Sequence, residues 1–263
     1  MNHLKFSNDQ RYIYSVGRVR VLERYLLTQA QLERLIEAES FSSSLRDLAE
    51  SRGYEDFQDK KNLAEVESLL LSEGEKTLKL IREMAALAED IIRDIFLLEW
   101  NSLDRLQLEQ ACRRALAFHL DFLAGYLSRR IDWINIILFL RIREYIRRED
   151  LLKDGLISYG LIPPSFYLKL YSAAAEDFPK ELSRYGYTLP RLTPLAQVEK
   201  QADDELIRFL KPAKYEGFGY EPLFGYFLGR ERELRNLRII LFGKFYNLSP
   251  DRIRENIREP YVS

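Results

Sequence analysis

Apolar residues recur at helical spacing along most of the chain, and no stretch alternates in the manner of a strand. Between Arg11 and Leu161 there is no proline, the residue that a helix interior tolerates least. The pattern predicts a first helix over Arg11–Glu39. A short second helix is expected from near Ser44, where Ser44 and Asp47 have capping-box spacing, to a stop at Gly53. From Lys61 the periodicity continues far, with breaks expected at Ser72–Gly74 and Asn101–Ser102. Asn101 can cap the next helix, with Asp104 three residues on. A helix over Arg130–Arg148 follows and runs out near Gly155. Ile162-Pro163-Pro164-Ser165 reads as a turn and restart, Thr193-Pro194 as an N-cap and first helical residue, and Pro212 as a terminator. Lys211–Glu221 is the most loop-like segment. Pro222 then opens a helix to about Phe242, Gly243 sits where a C-terminal cap belongs, and Ser249-Pro250 starts a last short helix. The fold class that follows is all-α.

Two of these helices read as copies of one unit. Asp132-Trp133-Ile134-Asn135 leads into Ile136-Ile137-Leu138-Phe139-Leu140, and Glu233-Leu234-Arg235-Asn236 leads into Leu237-Arg238-Ile239-Ile240-Leu241. Each places an acid three residues before an Asn, on one helix face. Each is followed by a leucine–proline turn, Leu161-Ile162-Pro163 and Leu248-Ser249-Pro250. Such a polar pair can pin a neighbouring helix end inside an apolar contact; the spacing also arises by chance in helical chains. A fainter echo links Arg52-Gly53-Tyr54, after Leu45-Arg46-Asp47-Leu48, with Tyr185-Gly186-Tyr187, after Glu181-Leu182.

Composition narrows the function classes. The 263 residues are 46% hydrophobic and 31% charged, enough to bury a sizeable core. Basic and acidic residues nearly cancel, 40 against 41, so no global field argues for nucleic acid. One cysteine, Cys112, rules out an internal disulfide and fits a reducing compartment. His3 and His119 lie far apart, and without a Cys cluster a zinc site is not expected. The opening MNHLKFSNDQ lacks an apolar core of signal-peptide length. The longest apolar stretch, Trp133–Leu140, is far short of the roughly 20 residues that cross a bilayer. Any membrane role is therefore expected to be peripheral.

Little in the chain reads as chemistry. Asp203-Asp204-Glu205 has the look of the magnesium-binding acids of an all-helical prenyl-diphosphate enzyme, but that chemistry needs further carboxylates and phosphate-binding bases, and a solvated helix turn accounts for the cluster. Glu216-Gly217-Phe218-Gly219-Tyr220 follows no strand and matches neither nucleotide-binding glycine motif. Arg141, Arg143, Arg147 and Arg148 suit the C-terminal end of a helix; contact with an acidic partner surface or lipid head groups is the functional alternative. Gly225 and Gly229 offer a small flat patch for close packing. No Walker motif is present. No catalytic residue, cofactor, metal or small-molecule substrate is expected.

Both ends of the chain carry a family resemblance. Pro222-Leu223-Phe224-Gly225-Tyr226-Phe227-Leu228 is followed by Arg230-Glu231-Arg232-Glu233-Leu234-Arg235-Asn236, then by Gly243-Lys244, Ser249-Pro250-Asp251-Arg252-Ile253-Arg254-Glu255 and Tyr261-Val262. This resembles the C-terminal signature of the C-subunit family of V-type and archaeal-type (A-type) rotary ATPases, the family of the eukaryotic d subunit. Tyr14-Ser15-Val16-Gly17-Arg18-Val19-Arg20-Val21-Leu22-Glu23 resembles its opening helix, and the Asp132…Asn135 helix its middle copy. The signature positions are Arg18, Arg20, Glu23, Asp132, Asn135, Glu231, Glu233, Asn236, Arg254 and Tyr261. The resemblance implies three similar helical units arranged as a funnel, with approximate repeats at 10–128, 129–192 and 193–263. It also implies a non-catalytic rotor subunit that links the central stalk to the membrane proteolipid ring, transmits torque, and lies peripherally on the cytoplasmic side. An unrelated helical adaptor for partner proteins is the alternative.

Overall fold

The computed structural model describes residues 5–84, 105–189 and 194–262. Among them are twelve α-helices and no strand. The chain divides into two compact units. Asn101–Leu206, with Met1–Lys5, form one, called here the inserted unit; Phe6–Trp100 and Ile207–Ser263 form the other, the split unit.

The inserted unit contains α5 (Arg105–Ala117), α6 (Asp121–Arg141), α7 (Glu149–Gly155), α8 (Pro164–Tyr171), α9 (Asp177–Leu182) and most of α10 (Leu195–Leu210). Trp133, Ile136 and Phe139 of α6 meet Tyr167 and Leu170 of α8 and Phe178 and Leu182 of α9. Phe139 and Phe178 stack with centroids 4.1 Å apart. Each such side chain, fully buried, stabilises by roughly 1.5–3 kcal/mol. A π-helical turn, Ile142–Ile146, extends α6, and Arg147 at φ 57° closes it by donating its N–H to Ile142 O.

The split unit is built around α11 (Glu221–Phe245), which packs against α1 (Ile13–Glu23), α2 (Gln29–Glu37), α3 (Phe41–Ala49), α4 (Leu63–Met84) and α12 (Pro250–Asn256). Leu234, Leu237, Ile240 and Leu241 of α11 form one core with Leu32, Leu35, Leu45, Leu48, Val66 and Leu70. With neighbours on so many sides, α11 buries polar as well as apolar positions, so its sequence lacks a single wet face.

Several boundaries differ from the sequence reading. The expected Arg11–Glu39 helix is two, because Thr28 makes a capping box with Gln31 and restarts the chain at Gln29. The cap of α3 is Ser40, paired with Ser43; Ser44 lies inside the helix, buried, and donates to Leu35 O at 3.2 Å. No break occurs at Ser72–Gly74: α4 runs through, Gly74 is buried, and Thr77 Oγ1 donates to Glu73 O. Gly243 lies within α11 rather than capping it, and the left-handed residue is Asn247 at φ 54°. The Asn101–Ser102 break and the Thr193 cap lie outside the described residues.

Gly225 and Gly229 do accept close packing, and what packs there is the ring of Tyr261. A Cβ at Gly229 would stand 2.7 Å from both Cβ and Cγ of Tyr261. Gly229→Ala is therefore expected to destabilise by about 1–3 kcal/mol through overpacking. Gly17→Ala, whose Cβ would meet nothing within 4 Å on the exposed side of α1, should stabilise by about 0.5–1 kcal/mol. Urea denaturation of the two variants checks both signs.

Candidate functional site

The acid–Asn pairs become the same fastener in both units. In the inserted unit, Asn135 is fully buried; its Nδ2 donates to Ile157 O at 2.8 Å and its Oδ1 accepts from Ile157 N at 2.9 Å. In the split unit, Asn236, also fully buried, donates to Arg258 O at 2.8 Å and accepts from Arg258 N at 3.0 Å. Each Asn thus grips the backbone 22 residues ahead of it. A side-chain amide carries both a donor and an acceptor, so it can satisfy both backbone polar atoms of one residue at once.

The acids grip a second segment. Asp132 accepts from the N–H of Leu161 (3.1 Å) and Ile162 (2.9 Å), and from the Tyr187 hydroxyl at 2.7 Å. Glu233 accepts from Leu27 N at 2.5 Å and from the Tyr54 hydroxyl. The correspondence is close. Leu161–Ile162 precede α8, Leu27 precedes α2, and each tyrosine follows a glycine of positive φ, Gly53 at 90° and Gly186 at 86°. The acid of α6 therefore fastens the segment that follows it, whereas the acid of α11 fastens a segment near the start of the chain.

The two acids are balanced differently. Burial pushes the Asp132 carboxyl up to about 6, against the pull of the Ile162 N–H, the Tyr187 hydroxyl and the Leu161 N–H. Glu233 is also raised by burial, but Arg230 lies beside it. Arg230 Nη1 donates to Glu233 Oε1 and to the Tyr54 hydroxyl, and its Nη2 donates to Glu73 Oε2 at 2.8 Å. The guanidinium also lies 4.9 Å from the Tyr54 ring centroid. Burial works against the charge on Arg230, but Tyr54, Glu233, Tyr226 and Glu73 outweigh it and hold the guanidinium protonated.

The remaining signature residues are also held within the chain. Arg18 lies half-buried with its guanidinium 5.9 Å from the Tyr14 ring centroid. Arg20 pairs with Glu23 at 2.7 Å and donates to Ala213 O and Glu216 O. Burial raises the Glu23 carboxyl against Arg20, Lys214 and Tyr261. Burial likewise raises Glu231 to about 7, with Arg235, Arg238 and Arg230 pulling it down. Arg254 joins α12 to α2 through Glu33 at 2.5 Å and through Glu37. Tyr261 is buried, and its carbonyl accepts from Lys214 Nζ at 3.1 Å.

Arg230, Tyr54, Tyr187 and Glu73 escaped the sequence reading as members of this site. The Gly-Tyr echo was the available signal for the two tyrosines, but nothing local linked Tyr54 to an acid 179 residues away. Glu205 of the acidic triplet accepts from Gln201 at 2.9 Å along α10. Among the described residues no group of three or more His, Cys, Asp or Glu side chains is placed to hold a metal ion. What the arrangement does chemically is fasten loops to helices.

Asn135→Leu and Asn236→Leu should each cost about 1–3 kcal/mol in urea denaturation, because the backbone groups of Ile157 or Arg258 lose their partners. Asp132 makes stability depend on pH. The folded chain takes up this proton near pH 6 and the unfolded chain near 3.8. The stabilisation from protonation is complete below the unfolded value and is lost as pH rises through about 6. Asp132→Asn cannot titrate, so its cost should be larger at pH 5 than at pH 7.5, by about 1 kcal/mol. An equal or smaller cost at pH 5 would contradict the assignment.

The chain matches the family described as ATP synthase (C/AC39) subunit over residues 15–102 and 87–256. It is 33% identical over 138 residues to the C subunit of the V-type sodium ATPase of Enterococcus hirae, an alignment covering 50% of this chain and 42% of that protein. The matched segment thus spans less than half the length of that relative. With the family match running through both units, the chain belongs to the C/AC39 subunit family of V- and A-type rotary ATPases.

Proposed function

We propose that this chain is a non-catalytic subunit of the rotor of a V/A-type ATPase, joining the central stalk to the membrane proteolipid ring and transmitting torque between them. The observation that carries the reading is the family match over most of the chain. The bonding pattern supports it. A torque-bearing part needs loops that do not slip against helices, and each buried Asn ties one loop residue through both its N–H and its C=O. The buried Arg230 is likewise paired within the chain, with Glu233 and Glu73. On this reading the three repeats at 10–128, 129–192 and 193–263 form the funnel that the family resemblance implies. The ten signature residues are its ribs rather than its contact points. Among the described residues no helix is long and apolar enough to cross a membrane, which suits peripheral attachment on the cytoplasmic side through partner subunits.

Torque is carried over a broad surface, so partner binding should be spread across many contacts rather than held in a pocket. The test is co-purification of the full chain with its own central-stalk subunits and proteolipid ring. Recovery of both partners is expected with the wild-type chain. Asn236→Leu should lower recovery in proportion to its loss of folded protein. If the wild-type chain binds neither partner while the rest of the rotor assembles, the rotor reading is wrong and an adaptor role takes its place.

A further inference from the structure

Glu221, the first residue of α11, is 1% exposed, yet the signature does not use it. Its carboxyl holds the early part of the chain: Oε1 accepts from Ser7 N at 2.5 Å, and Oε2 lies 2.9 Å from Ser7 Oγ. Gly219 brings the two together. It sits at φ 82°, and a Cβ there would collide with both Glu221 Oε2 and Ser7 Oγ. Its N–H donates to Asp9 O at 3.1 Å, a second tie to the same segment. Beyond this point the chain is anchored by Tyr12, which is buried, in the 3-10 turn Gln10–Tyr12. Phe6–Asp9 is thus a short strap lying over the start of α11.

We propose that Glu221 is a proton-operated catch for this strap: with the carboxyl protonated the strap stays docked on the start of α11, and with the carboxylate formed its docking weakens.

The hydrogen bonds serve both states. The ionised carboxylate accepts from Ser7 N–H and O–H; the protonated one keeps the first bond and donates its own proton to Ser7 Oγ. What differs is the burial of a negative charge. Among the charged side chains around the catch, Glu216, from the turn before α11, is an anion and acts against ionisation. Asp9, on the strap itself, is held by Arg11, whose Nε donates to Oδ1 and whose Nη2 donates to Oδ2. Burial accordingly raises the docked Glu221 carboxyl to about 7 from an ordinary 4.5, with the Ser7 donors pulling against it. Undocking returns the carboxyl to water and to its ordinary value. The docked state therefore binds the proton more tightly. Docking is strongest below about pH 4.5, and this added strength is lost as pH rises through about 7.

The test is hydrogen exchange on the full chain at pH 5.5 and pH 8.5, with rates divided by the intrinsic rate at each pH. The Ser7 and Gly219 amides report the strap; Leu237 and Ile240 report global opening. Protection of Ser7 and Gly219 is expected to fall on the order of tenfold at the higher pH, while Leu237 and Ile240, which exchange only by global opening, stay more strongly protected than either at both values. Glu221→Gln keeps an acceptor for Ser7 N–H and a donor for Ser7 Oγ without a titrating charge, so its strap should stay protected at both values. Constant wild-type protection overturns the catch, whatever the variant does. So does a fall of the same size in Glu221→Gln, since the pH effect would then originate elsewhere.

Discussion

A buried carboxylate governs the split unit. Glu233 lies between α11, the turn before α2 and Tyr54, and removing an ion from water costs several kcal/mol unless partners replace the lost hydration. Each of its neighbours can be read as such a replacement: Leu27 N, the Tyr54 hydroxyl and the Arg230 guanidinium. Arg230 is itself desolvated and needs Glu73 on α4 as a second counter-charge. The requirement spreads from one buried oxygen pair to three stretches of chain. Apolar packing supplies most of the stabilisation, but a hydrophobic contact tolerates sliding, and this network does not. Taking away one partner strands the others, at a cost of about 3–5 kcal/mol for a buried ion pair.

The inserted unit solves the same problem mainly with neutral donors, Arg129 adding the weakest pull on the Asp132 carboxyl. Asp132 is shorter than Glu233 and reaches two successive backbone N–H groups before Pro163, with Tyr187 as a third donor. Neutral donors compensate a buried charge less fully than a guanidinium does. Burial raises both carboxyls, Asp132 to about 6 among its neutral donors and Glu233 within its ion-paired cluster. The two Asn residues, carrying no charge, need no such adjustment, and their geometry is nearly identical in the two units.

Helical periodicity and the acid–Asn spacing were legible because both are local: they depend on residues three or four apart. Local competition accounts for the boundary errors. Ser40, Ser43 and Ser44 can each cap a helix, and the apolar residues that must face the core decide among them; Leu45 and Leu48 are fully buried. Gly74 looked like a break but lies buried within an unbroken α4, where a helix without a side chain at that point can pack closely. The partners of the acids were not legible. Tyr54 and Glu233 are 179 residues apart, and their meeting is set by how α11 threads among the first four helices rather than by any spacing in the sequence.

The division of the split unit has a consequence for how the protein is made. A ribosome adds roughly 5–20 residues per second, so on the order of ten seconds or more separates the emergence of Tyr54 from that of Glu233. Through that interval α2, α3 and α4 have no α11 to cover Leu32, Leu45, Leu48 and Val66. The inserted unit, with Asp132 and all its partners inside one continuous stretch, can close during the same wait. Nascent chains are thus expected to spend their longest vulnerable phase with the first third of the sequence uncovered. That is the part of the chain a chaperone would have to shield.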